Sequence, residues 1–101
     1  MTITNVIWKF PIPLQAEDII VSMPKDSQIL HLAIDPKFYD ICIWVKLDPN
    51  DDIPKENRRF TWIATGQRTE SENLEKYIGT MVLKLGLVFH LFELPSDSEN
   101  I

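Results

Sequence analysis

Residues able to do chemistry are few and scattered along this chain. His31 and His90 are the only histidines and Cys42 the only thiol. A zinc site or a nucleophile with its base needs several such groups at set spacing, as in Cys-x-x-Cys pairs or two histidines one helical turn apart, and neither pattern occurs. The sequence therefore predicts no catalytic residue, no metal ligand and no cofactor. His90 stands inside an apolar run and is expected to be a core histidine with both ring nitrogens hydrogen-bonded. Asp48, Asp51 and Asp52 share a proline-bounded stretch that lacks the glycine and glutamate of a calcium loop, so they read as solvated turn residues.

The strongest local signal is Thr65-Gly66-Gln67-Arg68. A strand ending in Thr-Gly, followed by an amide and a guanidinium, can direct backbone N–H groups and charge at an anion, with Arg58 and Arg59 at the strand's other end. Neighbouring strand residues point to opposite faces, so only one of Arg58 and Arg59 can join such a site. The candidate binding set is Arg59, Thr65, Gly66, Gln67, Arg68 and His90. Trp8, Trp44 and Trp62 each sit in a strand-like run, and Trp8 and Trp44 are the candidates for an interface.

The element that organises the rest is the stretch 77–94. Residues 77–83 and 87–94 read as two strands joined through Lys84-Leu85-Gly86, an antiparallel hairpin. Leu87, Phe89 and Leu91 alternate with Val88, Phe92 and Leu94, broken only by His90 and Glu93, the pattern of a central strand covered on both faces. Earlier, residues 3–10 alternate with Val6, Trp8 and Phe10 on one face and stop at Pro11 and Pro13. Residues 18–23 and 28–35, separated by Lys25-Asp26-Ser27, read as a second hairpin, with Leu30, Leu32 and Ile34 on the core face. Tyr39, Ile41, Ile43, Val45 and Leu47 form an unbroken period-2 set. Residues 48–57 read as an exposed loop, 58–65 as a strand, and 66–76 as a polar loop in which Ser71 caps at most one helical turn. About seven strands without a long helical period predict an all-β fold, an antiparallel sandwich or small barrel. One domain over residues 1–94 and a flexible acidic tail at 95–101 are expected.

At 101 residues, with 45% hydrophobic and 25% charged, the chain has the length and composition of one folded domain rather than a disordered segment. Its net charge of −5 and pI near 4.8 argue against direct nucleic-acid binding, which needs clustered Lys and Arg. No apolar run approaches the ~20 residues of a membrane span and no signal peptide is evident, so a soluble, cytoplasmic protein is expected. The lone Cys42 excludes an internal disulfide and reads as a buried, inert thiol.

Several short motifs recur in order: Ile7-Trp8-Lys9-Phe10, Met23-Pro24, Ile43-Trp44-Val45, Arg59-Phe60 leading to Thr65-Gly66, Tyr77-Ile78-Gly79-Thr80, and Val88-Phe89-His90-Leu91-Phe92-Glu93. Over residues 5–94 this string resembles a family of small phage-encoded β-domain proteins of unknown function. Where that family has Gly-Thr-Gly, this chain has Ala64-Thr65-Gly66. The resemblance implies a phage accessory protein made in the bacterial host cytoplasm, with no catalytic residues assigned. The expected function is non-enzymatic binding in counter-defence: a homo-oligomer that inhibits a host defence protein through exposed aromatics and the loop at 48–52. The alternatives are sequestration of a small anionic, nucleotide-type signal, or a structural role as a minor virion protein.

Overall fold

A computed structural model describes residues 4–70 and 74–95. The described chain folds into seven strands and one 3-10 turn: β1 (Val6–Pro11), β2 (Ile19–Pro24), β3 (Gln28–Asp35), β4 (Asp40–Leu47), β5 (Lys55–Ala64), β6 (Lys76–Val82), the turn Lys84–Gly86, and β7 (Val88–Leu94). They form two antiparallel sheets, a smaller one in the order β1-β4-β3 and a larger one in the order β2-β5-β7-β6. Of the antiparallel sandwich or small barrel expected from the period-2 patterns, the sandwich is what forms. Each sheet turns its alternate apolar residues inward. The shared core holds Ile43, Val45 and Leu47 from β4, Phe60 and Trp62 from β5, Val21 and Met23 from β2, Met81 from β6 and Leu91 from β7. Ile12 joins it from the β1–β2 connection, held by its N–H donating to Ile41 O at 2.8 Å.

The hairpin of β6 and β7 forms as the sequence predicts, and β7 is interior to its sheet. Only one of its faces lies under the smaller sheet. The other carries half-buried Val88, His90, Phe92 and Leu94, so the expectation of cover on both faces is corrected. Glu93 is no interruption of an apolar face: it points inward with Leu91 and is itself buried.

Residues 18–35 do not make a hairpin. β2 pairs with β5 and β3 with β4, so the short turn between β2 and β3 carries the chain from one sheet to the other. Asp26 takes φ 67° at this corner, and buried Ser27 donates its hydroxyl to Pro24 O at 2.6 Å. Both strands read as alternating apolar sets in the sequence, and that pattern is the same whether they lie side by side or face to face. The core face of β3 also differs from expectation. The register slips between Ile29 and His31, making Leu30 a bulge residue that is exposed, while Ile29 packs inward beside Leu32. β5 begins at Lys55, earlier than the polar run at 48–57 suggested, because Lys55, Glu56 and Asn57 pair with Pro24, Met23 and Ser22 of β2. The candidate turn at Ser71 lies outside the described residues, as do 96–101 of the expected tail. Among the described residues no helix is long and apolar enough to cross a membrane.

Candidate functional site

The outer face of the larger sheet can be built row by row from its register. Val82 of β6 stands beside Val88 of β7; next come Thr80, His90 and Ile63; then Tyr77, Phe92 and Thr61; then Leu94, Arg59 and Ile20. Tyr77 and Phe92 pack edge to face, with ring centroids 5.7 Å apart. Arg59 is the only lysine or arginine in these rows, and its Nε lies 3.8 Å from Asp18 Oδ2. A face so poor in charge, on a chain with 25% charged residues, has the composition of an interface centre.

His90 sits in the middle of this face. Its Nε2 lies 2.8 Å from Thr65 Oγ1 and its Nδ1 2.8 Å from Thr80 Oγ1, and the Tyr77 hydroxyl in turn meets Thr80 Oγ1. Both ring nitrogens are thus hydrogen-bonded, as the sequence suggested, but on the outer face and not in the core. The row Thr65–His90–Thr80 resembles a nucleophile, base and orienting group in sequence. Its third member is a neutral hydroxyl, which supplies no negative charge to stabilise an imidazolium. The arrangement locks the ring in place and displays hydroxyls.

Of the other sequence-predicted site residues, Gly66 takes φ 85° in the turn after β5, where glycine is favoured. Gln67 closes that turn: its N–H donates to Ala64 O, and its side-chain Oε1 accepts from Ala64 N, both at 3.0 Å. Arg68 is exposed on the following loop. Thr65 and His90 therefore meet, whereas Arg59, six residues before Thr65 on an extended strand, lies about 20 Å away along β5. Arg59 and Gln67 line one shallow groove together with Asp18, Thr61 and Thr69.

Trp8 is half-exposed on β1, and Trp44 lies on the outer face of the smaller sheet against the His31 ring, with centroids 6.3 Å apart. On that same face Lys9 pairs with Asp35 and also covers the Phe38 ring. The Lys9 hydrogen bond holds the Asp35 carboxyl below its usual range. Cys42 is buried beneath, and burial pushes its thiol up. In the loop at 48–52, Asp48 Oδ1 accepts from Asn50 N at 3.0 Å, the side-chain-to-backbone bond of a turn. Among the described residues no group of three His, Cys, Asp or Glu is placed to hold a metal ion.

Two features were not picked out from the sequence. Arg58 turns inward with Phe60 and Trp62 and grips Glu93, while also donating to Ser27 O and reaching Met23 Sδ at 3.4 Å. Lys76 Nζ adds a contact to Glu93 Oε1 at 3.1 Å. Burial opposes ionisation of Glu93, but the bonds and charge of Arg58 and then Lys76 outweigh it and leave the carboxyl below its usual value. The inward parity shared by Arg58 and Glu93 with their apolar neighbours was the available signal. The second feature is Leu85, at the tip of the β6–β7 hairpin. It is 98% exposed and adopts φ 69°, followed by Gly86 at φ 77°. The left-handed conformation is costly for a leucine, and exposure returns nothing to the fold.

The chain matches the family described as Domain of unknown function (DUF7352) over residues 3–101 and belongs to it. No curated protein and no solved structure matches.

Proposed function

We propose that this member of the DUF7352 family is a non-enzymatic binding module that engages a protein target through the outer face of its larger sheet and the tip of the β6–β7 hairpin. The observation that carries this reading is Leu85: an apolar side chain wholly in solvent, on strained backbone, at the apex of two paired strands. The tight turn calls for left-handed backbone here, and an exposed leucine where glycine or asparagine would sit without strain points to a use outside the fold. Val82 and Leu87, both exposed, flank it, and the charge-poor rows around His90 continue the surface. An apolar cleft on the target, closing over Leu85 with Tyr77 and Phe92 behind it, fits this arrangement.

The biological setting is part of the same proposal. The motif string supports a phage-encoded accessory protein acting in the bacterial cytoplasm, and stoichiometric inhibition of a host defence protein suits a surface rich in aromatics and hydroxyls and poor in catalytic groups. The test is to express the chain in bacterial cells challenged with phage and compare it with Leu85→Gly. The parent is expected to protect the phage and the variant to lose that effect while keeping its fold. Equal protection by both would overturn the role of the tip.

A further inference from the structure

We infer that the chain self-associates through β1, whose free edge pairs antiparallel with β1 of a second copy about a two-fold axis between the two Trp8 residues. This rests on different residues from the target-binding surface. The two sheets leave four edges, β1 and β3 in the smaller and β2 and β6 in the larger. Two carry a bulge that discourages an added strand, β3 between Ile29 and His31 and β6 between Tyr77 and Gly79. β1 and β2 both run in unbroken register and both end in a proline, but β2 is flanked by the acids Asp18 and Asp26 and β1 by none.

The direction of the free polar groups follows from one hydrogen bond. A residue in an antiparallel strand sends its N–H and C=O to the same side, and the side alternates along the chain. Ile12 donates to Ile41 O of β4, so Phe10, Trp8 and Val6 also face β4. Asn5, Ile7, Lys9 and Pro11 face outward. Pro11, which has no N–H to offer, occupies an outward position, where its loss breaks no bond to β4.

With Trp8 opposite its own copy, Ile7 stands opposite Lys9 and Asn5 opposite Pro11. Ile7 and Lys9 then exchange both backbone bonds on each side of the axis, and Asn5 N–H reaches the Pro11 carbonyl at each end. The two Trp8 rings meet at a position without hydrogen bonds, where cross-strand side chains come nearest. Centring on Lys9 would oppose like charges. Trp8 is 45% and Ile7 59% exposed in the single chain, and this pairing covers both. Charge selects a second copy as the occupant. On a chain of net charge −5, Lys9 is the sole charged residue between 4 and 16, and it is already paired with Asp35. This is an edge at which two acidic molecules meet without opposing their acids.

Sedimentation of the purified chain at micromolar concentration should give a species of twice 11.8 kDa. Ile7→Pro removes an outward N–H and no bond to β4, so it should weaken association at least about ten-fold while circular dichroism and thermal unfolding stay near the parent's. In a Cys42→Ala background, Trp8→Cys should form an intermolecular disulfide on mild oxidation, since directly opposed residues at such a position lie about 4.5 Å apart between Cα atoms. Ile7→Cys mixed with Lys9→Cys should cross-link more readily than either alone. A single monomeric species throughout, a dimer indifferent to Ile7→Pro, or a dimer that neither Trp8→Cys nor the mixture of Ile7→Cys and Lys9→Cys cross-links would each overturn the proposal.

Discussion

Arg58 and Glu93, on adjacent strands and both turned into the sandwich, form a two-pronged ion pair in which Nε and Nη2 donate to the two carboxylate oxygens at 2.6 and 2.7 Å. With Ser27 O as a further acceptor, the guanidinium ties β5 to β7 and to the corner where the chain changes sheets. Removing one partner leaves the other charge buried and uncompensated. Glu93→Gln should therefore cost about 3–5 kcal/mol, measured by urea unfolding. A loss within the range of an exposed pair, below about 1 kcal/mol, would show that the pair is not buried as described.

The same pair sets a pH dependence. Glu93 ionises below its usual range in the folded chain, so its contribution is complete above the ordinary glutamate value and is lost as pH falls through the lower folded value. Asp35, lowered by Lys9, acts in the same sense. Stability is expected to hold from neutral pH down to about pH 4.5 and to decline below it. Glu93→Gln should flatten that decline as well as lower the plateau, which thermal unfolding across the acid range will show.

Core substitutions should rank by burial. Phe60 is fully buried, and Phe60→Ala should cost about 3–5 kcal/mol. Phe89, which its place in the apolar run of β7 suggested to be equally central, is only partly buried and meets Trp62 edge to face at 6.5 Å. Phe89→Ala should cost clearly less than Phe60→Ala. The reverse order in parallel urea titrations would contradict the packing.

β6 and β3 come close at Gly79. A Cβ there would lie 3.1 Å from both Cβ and Cδ2 of buried Leu32, closer than packed carbons sit at rest. Gly79→Ala should cost about 1–3 kcal/mol. Neutrality would mean that the two edges part easily.

The β6–β7 hairpin was legible because its two strands pair with each other and enclose a short turn with Gly86. The β2–β3 turn looked equally tight, yet it spans two sheets. Nothing in the alternation of Val21 and Met23 against Leu32 separates the two arrangements, since both bury the same residues. The Leu30 bulge was hidden for a related reason: one extra residue inverts a face without altering composition. At the site, the turn at Gly66 grew from a recognisable strand end, whereas the meeting of Thr65 with His90 did not show, because His90 stands inside an apolar run and read as a core residue. Leu85 did not stand out, because Lys84-Leu85-Gly86 shows one glycine, while the backbone needs two successive left-handed residues. The inward Arg58 and Glu93 were readable by parity, one on each of two strands whose neighbours are apolar.

The claim that the hairpin tip is a binding surface is tested most directly by a photo-cross-linking residue placed at position 85 and, separately, at Asp51 in the acidic loop, both expressed in host cells. The account predicts a discrete adduct with a different protein from position 85, abolished by Val82→Asp, and none from position 51. Adducts from position 51 alone, or no adduct from position 85, would contradict it.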